Sequence, residues 1–185
     1  MRKNTTNNKT LIVNLLGGPG SGKSTNAARI FSALKDLDYN VELVTEYAKD
    51  LTWGESYNVL RDQIYVFGKQ QHRIWRLDGK VDIIITDSPL LLSTVYGETE
   101  TSKEFKDLVI SEYFRRPTVN IMLNRVKKYN PKGRNQTLDE AIDLDAKIKQ
   151  RVEEVDRIHL TVDGAETSKE TIVNFILEEY SKLVS

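Results

Sequence analysis

The sequence predicts an α/β fold in which a parallel sheet is wound with helices. Five short apolar stretches have the composition of buried strands, and segments with helical periodicity separate them. These strand candidates are residues 11–16, 41–45, 81–86, 118–123 and 159–162. Because no linker, repeat or break in composition divides the 185 residues, we expect one domain spanning residues 1–185.

The first strand runs directly into a glycine-rich loop and then a helix. GGPGSGKST at residues 17–25 fits the pattern G-x-x-x-x-G-K-[ST] at every required position. Apolar residues follow it at helical spacing, namely Ala27, Ile30, Phe31 and Leu34. Strand, loop and helix together form the supersecondary unit called a P-loop. A chance glycine turn is the alternative, and the agreement of pattern with context disfavours it.

The residue types of this loop suit a polyphosphate. Glycines let the backbone wrap closely around it, and amides at a helix N-terminus favour an anion. Lys23 can reach the β- and γ-phosphates, and the Ser24 hydroxyl is a ligand for Mg²⁺. We therefore expect ATP and Mg²⁺ as cofactors. The loop residues expected to hold the nucleotide are Gly18, Gly20, Ser21, Gly22, Lys23, Ser24 and Thr25.

The composition excludes several other classes of protein. Twenty-seven basic and 27 acidic residues give no net charge that would recruit nucleic acid or a membrane. The chain has no cysteine, which excludes disulfides, thiolate metal sites and a cysteine nucleophile. No apolar run approaches the roughly 20 residues of a membrane span, and residues 1–9 are polar and expected to be flexible. A cytoplasmic enzyme is the resulting expectation.

Two further strands end in carboxylates. The apolar segment 81–86 is followed by Asp87, as in a Walker B motif, so Asp87 is expected to orient Mg²⁺ opposite Ser24. The alternative is that Asp87 caps a helix beginning at Pro89. The second strand ends at Glu46, the best-placed candidate for the base that a hydroxyl acceptor needs. Asp87 competes for that role, and a solvated strand end is the alternative for Glu46.

A basic run over residues 115–138 begins just before the fourth strand candidate and continues after it. Its seven cations, with no acid among them, are Arg115, Arg116, Arg125, Lys127, Lys128, Lys132 and Arg134. We expect residues 125–137 to form a lid loop on the P-loop side of the sheet, although a solvated face is the usual explanation of a charge run. Arg134 is the favoured partner of the phosphates in the transition state, and Arg125 is expected to stack on the adenine.

Helical patterns fill the rest of the sequence. Residues 56–77 are predicted to form one long helix, whose polar face carries the candidate acceptor ligands Arg61, Gln63 and Gln70. A merely hydrated helix face is the alternative for each of the three. T-x-x-E capping boxes at residues 101–104, 137–140 and 167–170 predict three later helix starts.

The set of motifs resembles the P-loop kinases of the nucleoside and nucleotide kinase group. GGPGSGKST, TEYAKD, DQIYVFGKQQ, IIITDSP and LNRVKKYNPKGRNQ together are similar to the nicotinamide-riboside-kinase-like family, which includes many phage proteins. The resemblance implies a three-layer P-loop NTPase fold with strand order 2-3-1-4-5 and helices on both faces. It also implies ATP-Mg, an acceptor site over the second strand and its helix, and a mobile lid. The family's familiar Asp-Arg pair is Asp87-Ser88 here, which leaves the acceptor open.

The resulting hypothesis is an ATP-dependent kinase that phosphorylates a hydroxyl or phosphate of a nucleoside- or nucleotide-type acceptor. Some phage relatives phosphorylate hydroxymethyluracil within DNA, so DNA is carried as an alternative acceptor. A third hypothesis is an ATPase or nucleotide-binding module without a small-molecule acceptor. We expect no membrane partner and a monomer or homodimer, located in the host cytoplasm if the gene is phage-encoded.

Overall fold

Five parallel strands form the sheet of the computed structural model, which describes residues 9–96, 101–126 and 137–185. Their order is β2-β3-β1-β4-β5, so the predicted fold class and strand order are confirmed. The strands are β1 (Leu11–Leu16), β2 (Val41–Val44), β3 (Ile83–Thr86), β4 (Thr118–Asn124) and β5 (Leu160–Asp163). The second and third strands are therefore shorter than predicted, and the fifth begins and ends one residue later.

Helices cover both faces of the sheet. They are α1 (Lys23–Asp36), α2 (Tyr47–Trp53), α3 (Tyr57–Arg61), α4 (Gln63–Trp75), α5 (Leu92–Tyr96), α6 (Lys103–Phe114), α7 (Leu138–Val155) and α8 (Lys169–Val184), with a 3-10 turn at Glu166–Ser168. None of the helices within the described ranges combines the length and apolar character that crossing a membrane requires.

The alternation of side chains along β1 divides the core into two layers. Ile12 and Leu16 point to one face, where they pack with residues of α4, α6 and α7. Leu11, Val13 and Leu15 point to the other face and pack with α1 and α8. All six residues of β1 are buried, as expected for the central strand of a sheet covered on both faces.

The predicted long helix at residues 56–77 is wrong in one respect, because the structure divides it into α3 and α4. Asp62 has φ −73° and ψ 84°, which is not helical, and its side chain accepts a hydrogen bond from the Tyr65 amide at 3.1 Å. Asp62 is therefore the N-cap of a new helix. The apolar periodicity hid this break because Leu60 and Ile64 keep the spacing of one continuous helix.

The three predicted helix starts are confirmed to within one residue, but the capping boxes themselves have different outcomes. At Thr137 both reciprocal hydrogen bonds with Glu140 are present, so that box is confirmed. The box at Thr101 is wrong, since Ser102 caps α6 instead by accepting from the Phe105 amide. The box at Thr167 is also wrong, because Thr167 lies within the 3-10 turn that precedes α8.

Candidate functional site: a P-loop between two carboxylates

The P-loop follows β1 and ends at the start of α1. Gly17, Gly20 and Gly22 have φ values of 133°, 85° and 99°, a region that side chains disfavour. Gly22 is the N-cap of α1 in the left-handed conformation, which turns the loop into the helix. The glycines of the motif are therefore required by the backbone path, and this path aims the helix N-terminus into the loop.

A second loop packs against the P-loop. Gly164, directly after β5, lies so close to the Ser21 carbonyl that an added Cβ would overlap it. Its amide donates to the Asn124 carbonyl at 2.9 Å, which ties the loop after β5 to the end of β4. Sequence reasoning missed Gly164, although its place at the carboxyl end of the last strand is where ligands of open α/β sheets bind.

Lys23 folds back over the loop. Its ammonium donates to the Gly17 carbonyl at 2.6 Å and to the Gly18 carbonyl at 3.1 Å. Burial lowers the pKa of Lys23, and the nearby charges of Glu46 and Asp87 oppose that effect. A phosphate bound here would place negative charge beside the Lys23 ammonium. This charge attraction favours anion binding at the site.

Ser24 and Asp87 form a hydrogen-bonded pair beside the P-loop. The Ser24 hydroxyl donates to Asp87 Oδ2 at 2.6 Å, and Asp87 is buried at the end of β3. Its other carboxylate oxygen, Oδ1, is buried and accepts no hydrogen bond from the described part of the chain. A buried oxygen without a partner is costly, and a hydroxyl beside a carboxylate is the oxygen donor set that Mg²⁺ prefers. The residues therefore fit this ion.

Glu46 lies on the neighbouring strand end, separate from that pair. It follows Thr45 after β2 and is the N-cap residue of α2, but its side chain makes no capping hydrogen bond. The side chain is half-buried, and burial raises the pKa of Glu46, while the positive charge of Lys23 opposes the rise. A raised pKa brings a glutamate closer to neutral pH, where a general base is most effective.

The strand register explains why the two carboxylates come together. Val44 of β2 pairs with Thr86 of β3, so both strands end at the same level. Glu46 and Asp87 follow these ends by two residues and by one. Because β3 also pairs with β1, the P-loop begins at the same edge of the sheet. The spatial meeting of Lys23, Glu46 and Asp87 is therefore a consequence of parallel pairing.

Arg125 is fixed against the P-loop by an aspartate of α7. Its guanidinium donates to Asp145 Oδ2 at 2.8 Å and to the Pro19 carbonyl at 2.7 Å. The other oxygen of Asp145 accepts a short hydrogen bond from the Gly18 amide. Asp145 thus joins α7 to both the loop and Arg125. No local pattern indicates Asp145, which lies 127 residues from Gly18.

The residues predicted to bind the acceptor have different environments. Arg61 is exposed at the end of α3, and the Gln63 amide donates to the Leu60 carbonyl at 2.8 Å. Gln70 is 4% exposed, and both ends of its amide contact backbone near Glu46. Tyr96, at the end of α5, was not predicted; it is 39% exposed and lies within reach of the charges of Glu46 and Asp145. The three acceptor assignments stay predictions.

Part of the predicted lid lies outside the described residues, including Lys127, Lys128, Lys132 and Arg134. The described cations of the basic run are each paired with a carboxylate. Arg115 contacts Glu112, Arg116 contacts Asp78, and Arg125 contacts Asp145. These three arginines are therefore neutralised by the protein itself.

The 2-3-1-4-5 sheet carries a P-loop, a serine–aspartate pair and a second carboxylate. These features define a nucleotide-binding protein with a kinase-like P-loop fold. Residues 12–167 match the family model described as the AAA domain. The match covers most of the chain, which belongs to this family. No curated protein matches the chain at the level of sequence.

Solved structures with the same fold include two of NadR protein. The complex with NAD and AMP-PNP has a TM-score of 0.67 at 14% identity, over 93% of this chain and 50% of that chain. The complex with NR has a TM-score of 0.62 at 14% identity, over 93% and 52%. This chain therefore spans about half the length of the NadR chains. Shikimate kinase from Aquifex aeolicus has a TM-score of 0.50 at 16% identity, over 94% and 98%.

Proposed function

We propose that this protein transfers the γ-phosphate of ATP to a hydroxyl or phosphate of a nucleoside- or nucleotide-type acceptor. The observation that carries the proposal is the separation of two carboxylates beside one P-loop lysine. Asp87 is bonded to Ser24, whereas the Glu46 carboxylate makes no capping bond and lies on the adjacent strand end. A kinase needs both a metal-orienting carboxylate and an acceptor-activating one.

Each residue has a distinct part in this reaction. Lys23 stabilises the negative charge that spreads over the transferred phosphoryl group. Glu46 accepts the proton of the acceptor hydroxyl as its oxygen bonds to the γ-phosphorus and the bond to the β-phosphate oxygen breaks. Ser24 and Asp87 would hold Mg²⁺. When bound, Mg²⁺ neutralises charge on the β- and γ-phosphate oxygens.

Exposed aromatic rings on the segment that follows Glu46 support a flat acceptor. Trp53 and Tyr57 follow Glu46 in α2 and α3, and they are 68% and 47% exposed. Tyr47 packs edge-on against Tyr65, which is exposed as well. Exposed aromatic rings favour contact with a nucleobase or a similar ring. One of the NadR structures with the same fold is a complex with NR. That complex supports a nucleoside-type acceptor.

The proposal is tested by a screen for transfer of labelled γ-phosphate. The panel contains nucleosides, nucleoside monophosphates, nicotinamide riboside, and unmodified and hydroxymethylated DNA. We expect selective labelling of one small-molecule class, with weak dependence on salt. Labelling of DNA with strong salt dependence would instead support the polymer hypothesis, because phosphate contacts release counterions. Steady ATP hydrolysis without labelling of any acceptor would replace the kinase with an ATPase.

A further inference from the structure

The turn that carries Glu46 is held on both sides by one buried amide. Gln70 Oε1 accepts a hydrogen bond from the Tyr47 amide at 3.0 Å. Gln70 Nε2 donates to the Thr45 carbonyl at 3.4 Å. These two backbone groups belong to the peptide units immediately before and after Glu46. Their use by one amide reproduces the pattern by which a residue of a parallel strand pairs with its neighbour.

Gln70 occupies a place where an apolar residue would be expected. It is 4% exposed on α4, three residues after Phe67 and four before Ile74, both of which are in the core. Burying an amide without hydrogen bonds costs free energy, and the hydrogen bonds of Gln70 offset that cost. Its Nε2 also lies 3.5 Å from Thr86 Oγ1, beside Asp87 at the end of β3. Gln70 therefore links the two strand ends that carry the carboxylates.

Contacts from α4 also support the first turn of α2, where the Glu46 side chain makes no capping bond. Tyr47 is the first residue of α2, and its amide has no partner within the helix. Gln70 of α4 accepts from this amide. Arg73, one turn further along α4, donates to the same Thr45 carbonyl at 3.0 Å and pairs with Asp50 of α2. The helix start is thus supported from α4, independently of the Glu46 carboxylate.

We propose that Gln70 is a positioning residue, whose amide fixes the Glu46 turn relative to Asp87 so that the Glu46 carboxylate meets the acceptor. This inference rests on the proposed function for the role of Glu46, but the hydrogen bonds themselves are independent of it. It gives Gln70 a role behind the acceptor site, in place of the direct acceptor contact that the sequence suggested.

The test compares Gln70→Met with Gln71→Met. Each substitution replaces an amide side chain of α4 with an apolar side chain of similar size. Gln71 is the control because its amide bonds to Glu112, away from the turn. We call the two hydrogen bonds of Gln70 to the backbone around Glu46 the clamp. Hydrogen exchange of the Tyr47 amide, followed by NMR, reports on the clamp and does not require a measurement of enzyme activity. We expect at least a tenfold faster exchange of the Tyr47 amide in Gln70→Met and no change in Gln71→Met. Unchanged exchange in Gln70→Met would overturn the clamp.

Kinetics then separate positioning from a structural role. For the acceptor identified in the screen, Gln70→Met should lower kcat by about 10- to 100-fold, since small misplacements of a catalytic group have effects of this size. The KM for ATP should stay within about twofold, because the P-loop is untouched, and Gln71→Met should match the wild type. A Gln70→Met protein with wild-type kcat would refute the positioning role. If the wild type transfers no phosphate but Tyr47 exchange responds as expected, the clamp stands and the kinase proposal fails.

Discussion

Replacing Gly18 by alanine probes the contact between the P-loop and α7. Gly18 occupies a variable position of the motif, so the motif alone does not require glycine there. An added Cβ would lie 2.6 Å from the Ala141 carbonyl oxygen and 2.8 Å from Asp145 Oδ1. Both distances are well below the 3.4–4 Å of ordinary contact. Since one of the two atoms is helix backbone, a side-chain rotation cannot relieve the overlap.

The size of the effect follows from these contacts. Overpacking of a tight site costs about 1–3 kcal/mol. A retreat of α7 would also weaken the bond from the Gly18 amide to Asp145, and bonds to charged groups are worth about 1.5–3 kcal/mol. The lower entropy of the unfolded alanine chain returns about 0.4–1 kcal/mol. We expect a net loss of about 3 kcal/mol, or a Tm lower by about 6–12 °C for a domain of this size.

Gly68→Ala is the matched control. Gly68 is exposed within α4, and an added Cβ would meet no atom within 4 Å. Alanine in a helix interior is favoured over glycine by about 0.5–1 kcal/mol, so this variant should melt slightly above the wild type. Thermal unfolding of the three proteins, followed by circular dichroism, gives the comparison. A Gly18→Ala protein that melts within 2 °C of the wild type would show that α7 does not pack on the P-loop as described.

Two further predictions concern the charged residues of the site. Lys23→Ala should lower the rate of phosphoryl transfer about 10³-fold, because it removes a cation that stabilises the transition state. Its Tm should be equal to or higher than that of the wild type, because burial disfavours the Lys23 ammonium in the folded protein. A large fall in Tm would contradict this. Glu46→Gln should be more stable than the wild type at pH 8, with the difference closing toward pH 4. The pKa of Glu46 is raised in the folded protein, so the folded state resists ionisation and loses stability as pH rises through that pKa. A pH-independent difference in Tm would contradict the burial of this carboxylate.

Local patterns in the sequence were sufficient for the strands, the P-loop and the carboxylates at the strand ends. A parallel sheet brings the carboxyl ends of its strands to one edge. Residues that follow different strands in the sequence can therefore be predicted to lie close together. The capping box at Thr137 succeeded for a similar reason, because all its partners lie within four residues.

Long-range contacts could not be predicted in this way. Asp145 reaches Gly18 and Arg125 only because α7 packs over the loop, and no spacing in the sequence encodes that packing. The polarity of Gln70 predicts a place on the exposed face of its helix. The structure instead buries its side chain beside apolar neighbours at i−3 and i+4. Asp62 shows the remaining difficulty, because one capping residue breaks a helix whose apolar spacing continues across the break.

The most direct measurement compares wild type and Glu46→Gln for transfer to the acceptor and for binding of ATP. This substitution keeps the size and hydrogen bonding of Glu46 but removes its basicity. If Glu46 is the base, kcat should fall by about 10²- to 10⁴-fold while the Kd for ATP stays within a few-fold. A rise in acceptor KM with unchanged kcat would mean that Glu46 only holds the acceptor. Unchanged kinetics, or a parallel loss of ATP binding, would contradict the division of roles between Glu46 and Asp87.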